Sequence, residues 1–188
     1  MMRALVSICV FAGCLVSVSV SLAAQEVIHA LTGTVSSINS DKTITVFQDN
    51  GSKGVFEDMT SSKAHIAFDK RIKAETTAAD AFKTKGAYAI VFYYGEADDR
   101  TVVALKSLGP GPFKSTVGTI GKFDRAHSIS VVDNSGTAQT FKISAATVAE
   151  TDVGAVEGLK FQAQKGDHVR VVSAVVDGSP TALFVRDR

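Results

Sequence analysis

Gly33-Thr34-Val35 and the following Thr43-Ile44-Thr45-Val46 return later in the same chain as Gly118-Thr119-Ile120 and Ser128-Ile129-Ser130-Val131. Gly51 and Phe56 return as Gly136 and Phe141. All these pairs share one offset, so nothing is inserted between them. Self-similarity at a fixed offset marks a repeated structural unit, and it predicts two copies of one small fold before any strand is argued.

Each copy reads as β-structure. In the first, Val27 to Ile38 is a β-prone opening stretch. Thr43 to Phe47 alternates polar and apolar residues with period two, as a half-buried strand does. Asp49-Asn50-Gly51 is a turn signal, because Asn and Gly tolerate positive φ. Val55 and Phe56 carry the return strand. The segment from Thr60 to Lys85 is less regular, with a short strand predicted over Ala64 to Phe68 and one or two helical turns over Thr76 to Phe82. Tyr88 to Tyr94 is the most β-prone run of the chain. Gly95-Glu96-Ala97-Asp98-Asp99 reads as a polar turn and Thr101 to Leu108 as the closing strand.

The second copy repeats the order: Val117 to Phe123, Ser128 to Val132, a turn at Asp133 to Gly136, and Thr140 to Ile143. A shorter middle, Ser144 to Gly158, read as a helical or irregular insertion, follows. His168 to Val176, a turn at Asp177-Gly178-Ser179-Pro180 and Thr181 to Arg186 complete it. Thr101 and Lys106 match Thr181 and Arg186, at a smaller offset than at the start, so the length difference falls in the middle segment. Gly109-Pro110-Gly111-Pro112 breaks both helix and sheet and marks the boundary.

The resulting division is a leader over 1–24, a first repeat over 25–108, a Gly/Pro linker over 109–113 and a second repeat over 114–188. The fold class is all-β with a minor helix. Its architecture is two tandem small OB-like β-barrels, since closure removes exposed strand edges; small β-sandwiches are the alternative. In the second copy, Gly118-Thr119-Ile120, Ser128-Ile129-Ser130-Val131, Gly166-Asp167-His168-Val169 and Ala182 resemble the signature of small secreted bacterial OB-like β-barrel domains of unknown function. The first copy departs from that pattern with Gly86-Ala87 in place of Gly-Asp. The resemblance rests on turn and core residues, so it implies a fold and no activity.

Arg3 followed by the apolar, serine-containing run Ala4 to Leu22 reads as a secretory signal peptide, with cleavage expected near Ala23 or Ala24 and a periplasmic or extracellular destination. Phe11-Ala12-Gly13-Cys14 is an imperfect lipobox. Membrane anchoring follows only if Cys14 is lipidated or the leader is retained. Both cysteines, Cys9 and Cys14, lie in the leader, so no disulfide or thiol nucleophile is available after cleavage. Lys and Arg number 20 against 19 Asp and Glu. That balance argues against nucleic acid as the main partner, which would call for a basic excess.

No nucleophile elbow, zinc-protease motif or phosphate-binding loop occurs in the sequence. The expected activity is therefore non-enzymatic binding or scaffolding in a bacterial cell envelope, without a cofactor. An envelope protein, a polysaccharide or a lipid head group would be the partner. The candidate contact residues are Tyr88, Ile90, Phe92 and Tyr94, which form an apolar stripe where the second copy begins with His168 and Arg170. Coverage of that stripe by the other copy or by the middle helix is the competing reading. Lys70, Arg71 and Lys73 add a basic segment. Periplasmic metal or small-ligand carriage is an alternative, with His29, His65, His127 and His168 as weak ligand candidates because they are widely spaced. A hydrolase with an unrecognised site is the second alternative.

Overall fold

A computed structural model describes residues 26–39, 43–58, 85–96, 99–109 and 111–187. The described residues are almost entirely β. Strands β1 (His29–Ile38), β2 (Thr43–Gln48), β3 (Lys53–Asp58), β4 (Tyr88–Glu96) and β5 (Asp99–Ser107) form the first copy. Strands β6 (Lys114–Asp124), β7 (Ser128–Asp133), β8 (Ala138–Lys142), β9 (Val148–Thr151), β10 (Gly154–Glu157), β11 (His168–Val176) and β12 (Ser179–Asp187) form the second.

The first five strands close a barrel in the order β1-β2-β3-β5-β4, with β3 and β5 parallel and the other ladders antiparallel. The second sheet runs β10-β9-β12-β11-β6-β7-β8, and a further parallel contact between β12 and β8 closes β6-β7-β8-β12-β11 in the ring order of the first copy, with β9 and β10 extending the sheet beyond β12. Register irregularities repeat as well. β1 shifts between Val35 and Ser37, and β6 between Ile120 and Lys122. β4 shifts between Phe92 and Tyr93, and β11 between Val172 and Ser173. Bulges re-aim strands, and their recurrence at matched positions shows that the two copies bend at the same places.

The repeated residues are core residues. Val35, Ile44, Val46, Phe56, Ala89, Val91, Val102 and Leu105 fill the first barrel. Their counterparts Ile120, Ile129, Val131, Phe141, Val169, Val171, Ala182 and Val185 fill the second. Gly33 and Gly118 have a steric reason to recur. A Cβ on either would press into the backbone carbonyl of the next strand, that of Phe47 or of Val132.

The second copy differs from expectation in its middle. Ser144 to Gly158 is not irregular: it carries the β9–β10 hairpin, followed by the 3-10 turn Gly158–Lys160, the only helical element among the described residues. β9 lies parallel to β12 through Phe184↔Val148, Val185↔Ala149 and Arg186↔Glu150. That pairing joins residues far apart in the chain, so no local pattern announces it. The turn after β4 is also shorter than the sequence suggests, because Gly95 pairs with Arg100 and Glu96 with Asp99. The strand and helical turns predicted over Ala64 to Phe68 and Thr76 to Phe82 lie outside the described residues.

Candidate functional site

β4 and β5 of the first barrel turn their outer face toward β11 and β12 of the second. Ala30, Ile90, Phe92, Val103 and Ala104 pack with Val148, Val172 and Phe184 in one buried cluster. The two faces are counterparts. Phe92 and Ala104, paired across β4 and β5, correspond to Val172 and Phe184, paired across β11 and β12. The barrels therefore meet through equivalent faces, the arrangement expected of a two-fold pair.

This seam is what covers the apolar stripe. Ile90 and Phe92 have no solvent exposure. Tyr88 and Tyr94 are half-buried against the same cluster, and Tyr88 also stacks near Phe113 at 4.9 Å. The stripe is an interface, but its occupant is the second barrel, which leaves Ile90 and Phe92 no surface for an outside partner. Lys70, Arg71 and Lys73 lie outside the described residues.

Polar groups border the apolar seam. Arg170 occupies the position matching Ile90, and its side chain is only 7% exposed. It crosses from β11 to donate to Asp49 Oδ2 at 2.5 Å and to Thr32 Oγ1 at 2.9 Å. The same Asp49 oxygen accepts the hydroxyls of Thr32 and Tyr88. Burial, and then the hydrogen bond to Asp49, push the Tyr88 phenol well above its ordinary range, so it stays a donor. Arg170 thus does outside its barrel what the sequence predicts, pointing away from its own core. What it points into is the neighbouring barrel.

A second polar contact lies further along. Glu150 on β9 takes the backbone N–H of Ala30 at 2.6 Å and lies 2.7 Å from His29 Nδ1. Desolvation by burial raises the Glu150 pKa, while the bonds from His29 and Ala30 oppose the rise. Ala155 N–H also donates to the Ile28 carbonyl at 2.7 Å, and Lys106 Nζ donates to the Ala146 carbonyl at 2.7 Å.

Two clefts open where these groups reach the surface. One, of about 440 Å³, is lined by Leu31, Thr32, Gln48, Asp49, Asn50, Arg170 and Arg186. The other, of about 350 Å³, is lined among others by His29, Tyr93, Arg100, Glu150 and Arg186. Both are made of residues from both barrels, and Arg186 borders each.

The described histidines, His29, His127 and His168, are not brought together into a metal centre. His29 is paired with Glu150. His127 is exposed, beside the Arg125 carbonyl and Asp124. His168 is exposed at the start of β11, and His65 lies outside the described residues. Among the described residues, no three or more His, Cys, Asp or Glu side chains are placed to hold an ion.

Sequence reasoning did not single out Asp49, Glu150 or Arg186 as site residues. Asp49 looks like an ordinary turn residue, and Glu150 lies in the segment read as irregular. Arg170 did carry a signal: it is a charge inside the apolar run Val169 to Val172. Comparison with known proteins supplies no further guide, since no family model and no curated protein matches the chain.

Proposed function

We propose that this is an exported, non-enzymatic binding module of the bacterial cell envelope, built of two OB-like barrels, whose ligand sits in the cleft at their seam. The carrying observation is that cleft of about 440 Å³, where Thr32, Gln48, Asp49 and Asn50 of one barrel face Arg170 and Arg186 of the other. Its volume lies in the range of small-molecule sites, which place a few convergent polar groups on a fixed frame. The frame here is fixed by the apolar seam on one side and by the Arg170–Asp49 pair on the other. The OB-like assignment is supported by the five-strand order and the parallel closure of each ring. Export is supported by the leader pattern of residues 1–24.

A thermal-shift panel of envelope saccharides and small metabolites tests the reading. At least one compound should raise the melting temperature by mass action. The rise should vanish in a Gln48→Ala/Asn50→Ala variant that melts normally on its own. A panel with no stabilising compound, or a rise unchanged in that variant, contradicts it.

A further inference from the structure

Arg170 and Arg186 stand directly opposite each other on β11 and β12. Like charges placed so oppose each other unless something neutralises them. Asp49 neutralises Arg170, at 2.5 Å. Arg186 has no such close partner: no hydrogen bond or ion pair among the described residues holds its guanidinium. Its neighbour on the other side, Glu150 of β9, attracts it but spends its oxygens on His29 and on the Ala30 N–H. The first copy resolves the matching position differently. There Lys106 stands opposite Ile90, not opposite a second cation, and reaches the Ala146 carbonyl.

The 440 Å³ cleft thus holds two arginines against one aspartate. The remaining charge lies on a side chain with five donors in a planar fork, the geometry that matches an oxyanion. Gln48 and Asn50 line the rest of the cleft with amide groups suited to hydroxyls, while the Thr32 hydroxyl is held between Asp49 and Arg170. We infer that the cleft takes a small acidic saccharide, its carboxylate or sulfate on Arg186 and its hydroxyls toward Gln48 and Asn50. This rests on the binding role proposed above and adds the ligand class.

Arg170 would act as the floor of the site. Its bond to Asp49 keeps that carboxylate from repelling the incoming anion. Asp49 is also tied by Thr32 and Tyr88, so the pairing does not have to form on binding.

The test is titration calorimetry with amide chemical-shift mapping on the whole mature protein. The probes are glucuronate, glucose 6-sulfate and glucose. Both anions should bind more tightly than glucose, more weakly as salt rises, and shift Thr32, Asn50, Arg170 and Arg186 together. The tighter of the two identifies the source, carboxylate or sulfate. Arg186→Gln should weaken anion binding about tenfold, the scale of one charge-assisted hydrogen bond, and Arg186→Lys less. Equal binding of glucose and the two anions at these residues overturns the anion assignment and leaves the binding role standing. No binding by any of the three, or shifts only elsewhere, also overturns the assignment; a positive result for another compound in the thermal-shift panel would then keep the binding role alone.

Discussion

Gly33 and Gly118 show what one absent methyl group does. Each lets β1 or β6 lie close against the carbonyl of its neighbour strand. Gly118→Ala should therefore destabilise the protein by about 1–3 kcal/mol through overpacking, read as a lower urea midpoint. Gly121→Ala should cost less, because its nearest neighbour is the Val132 side chain at 3.1 Å, which can move. The same scale holds the pH dependence. Burial raises the Glu150 pKa above that of the unfolded chain. In that window the folded state keeps a proton the unfolded state has lost, so stability falls as pH rises. This contribution is complete below the unfolded glutamate value, about 4.3, and is gone once pH passes the raised folded one. Urea midpoints taken across the acid range should show that fall in the wild type and lose it in Glu150→Gln. An identical profile in both proteins would mean that Glu150 does not carry the effect.

At the scale of strands, the two copies are the same in frame and different in what their outer faces carry. The frame was legible in sequence because core residues repeat: Ile44 with Ile129, Val46 with Val131, Phe56 with Phe141. Turn glycines and period-two alternation placed most strands. The β9–β10 hairpin was not legible, since its stability comes from parallel pairing with β12 and not from its own four-residue strands. The outer faces were half legible. Alternation correctly sets Ile90, Phe92 and Arg170 pointing away from their own cores. It carries no information on what lies opposite, so an interface between copies and a free binding surface look alike in the sequence. Asp49 shows the same limit. Its turn position is local and readable, whereas its bond to Arg170 spans 121 residues.

At the largest scale, the described residues form two barrels joined face to face, with an apolar centre and a charged border. Each large side chain fully buried in that centre, such as Ile90, Phe92 and Phe184, contributes roughly 1.5–3 kcal/mol by area removed from water. The Arg170–Asp49 pair adds orientation more than net energy, since desolvating two charges offsets most of their attraction. It fixes how the barrels sit, and with that the shape of the cleft that the proposed ligand requires. The cleft therefore exists only if the barrels behave as one body. Equilibrium urea unfolding, followed by separate NMR probes in Val46 of the first barrel and Val131 of the second, tests this most directly. The two probes should report one coincident transition, and Phe92→Ala should lower both midpoints equally. Two separated transitions, with the Val131 midpoint unmoved by Phe92→Ala, would contradict a seam that unites the barrels and a site built across it.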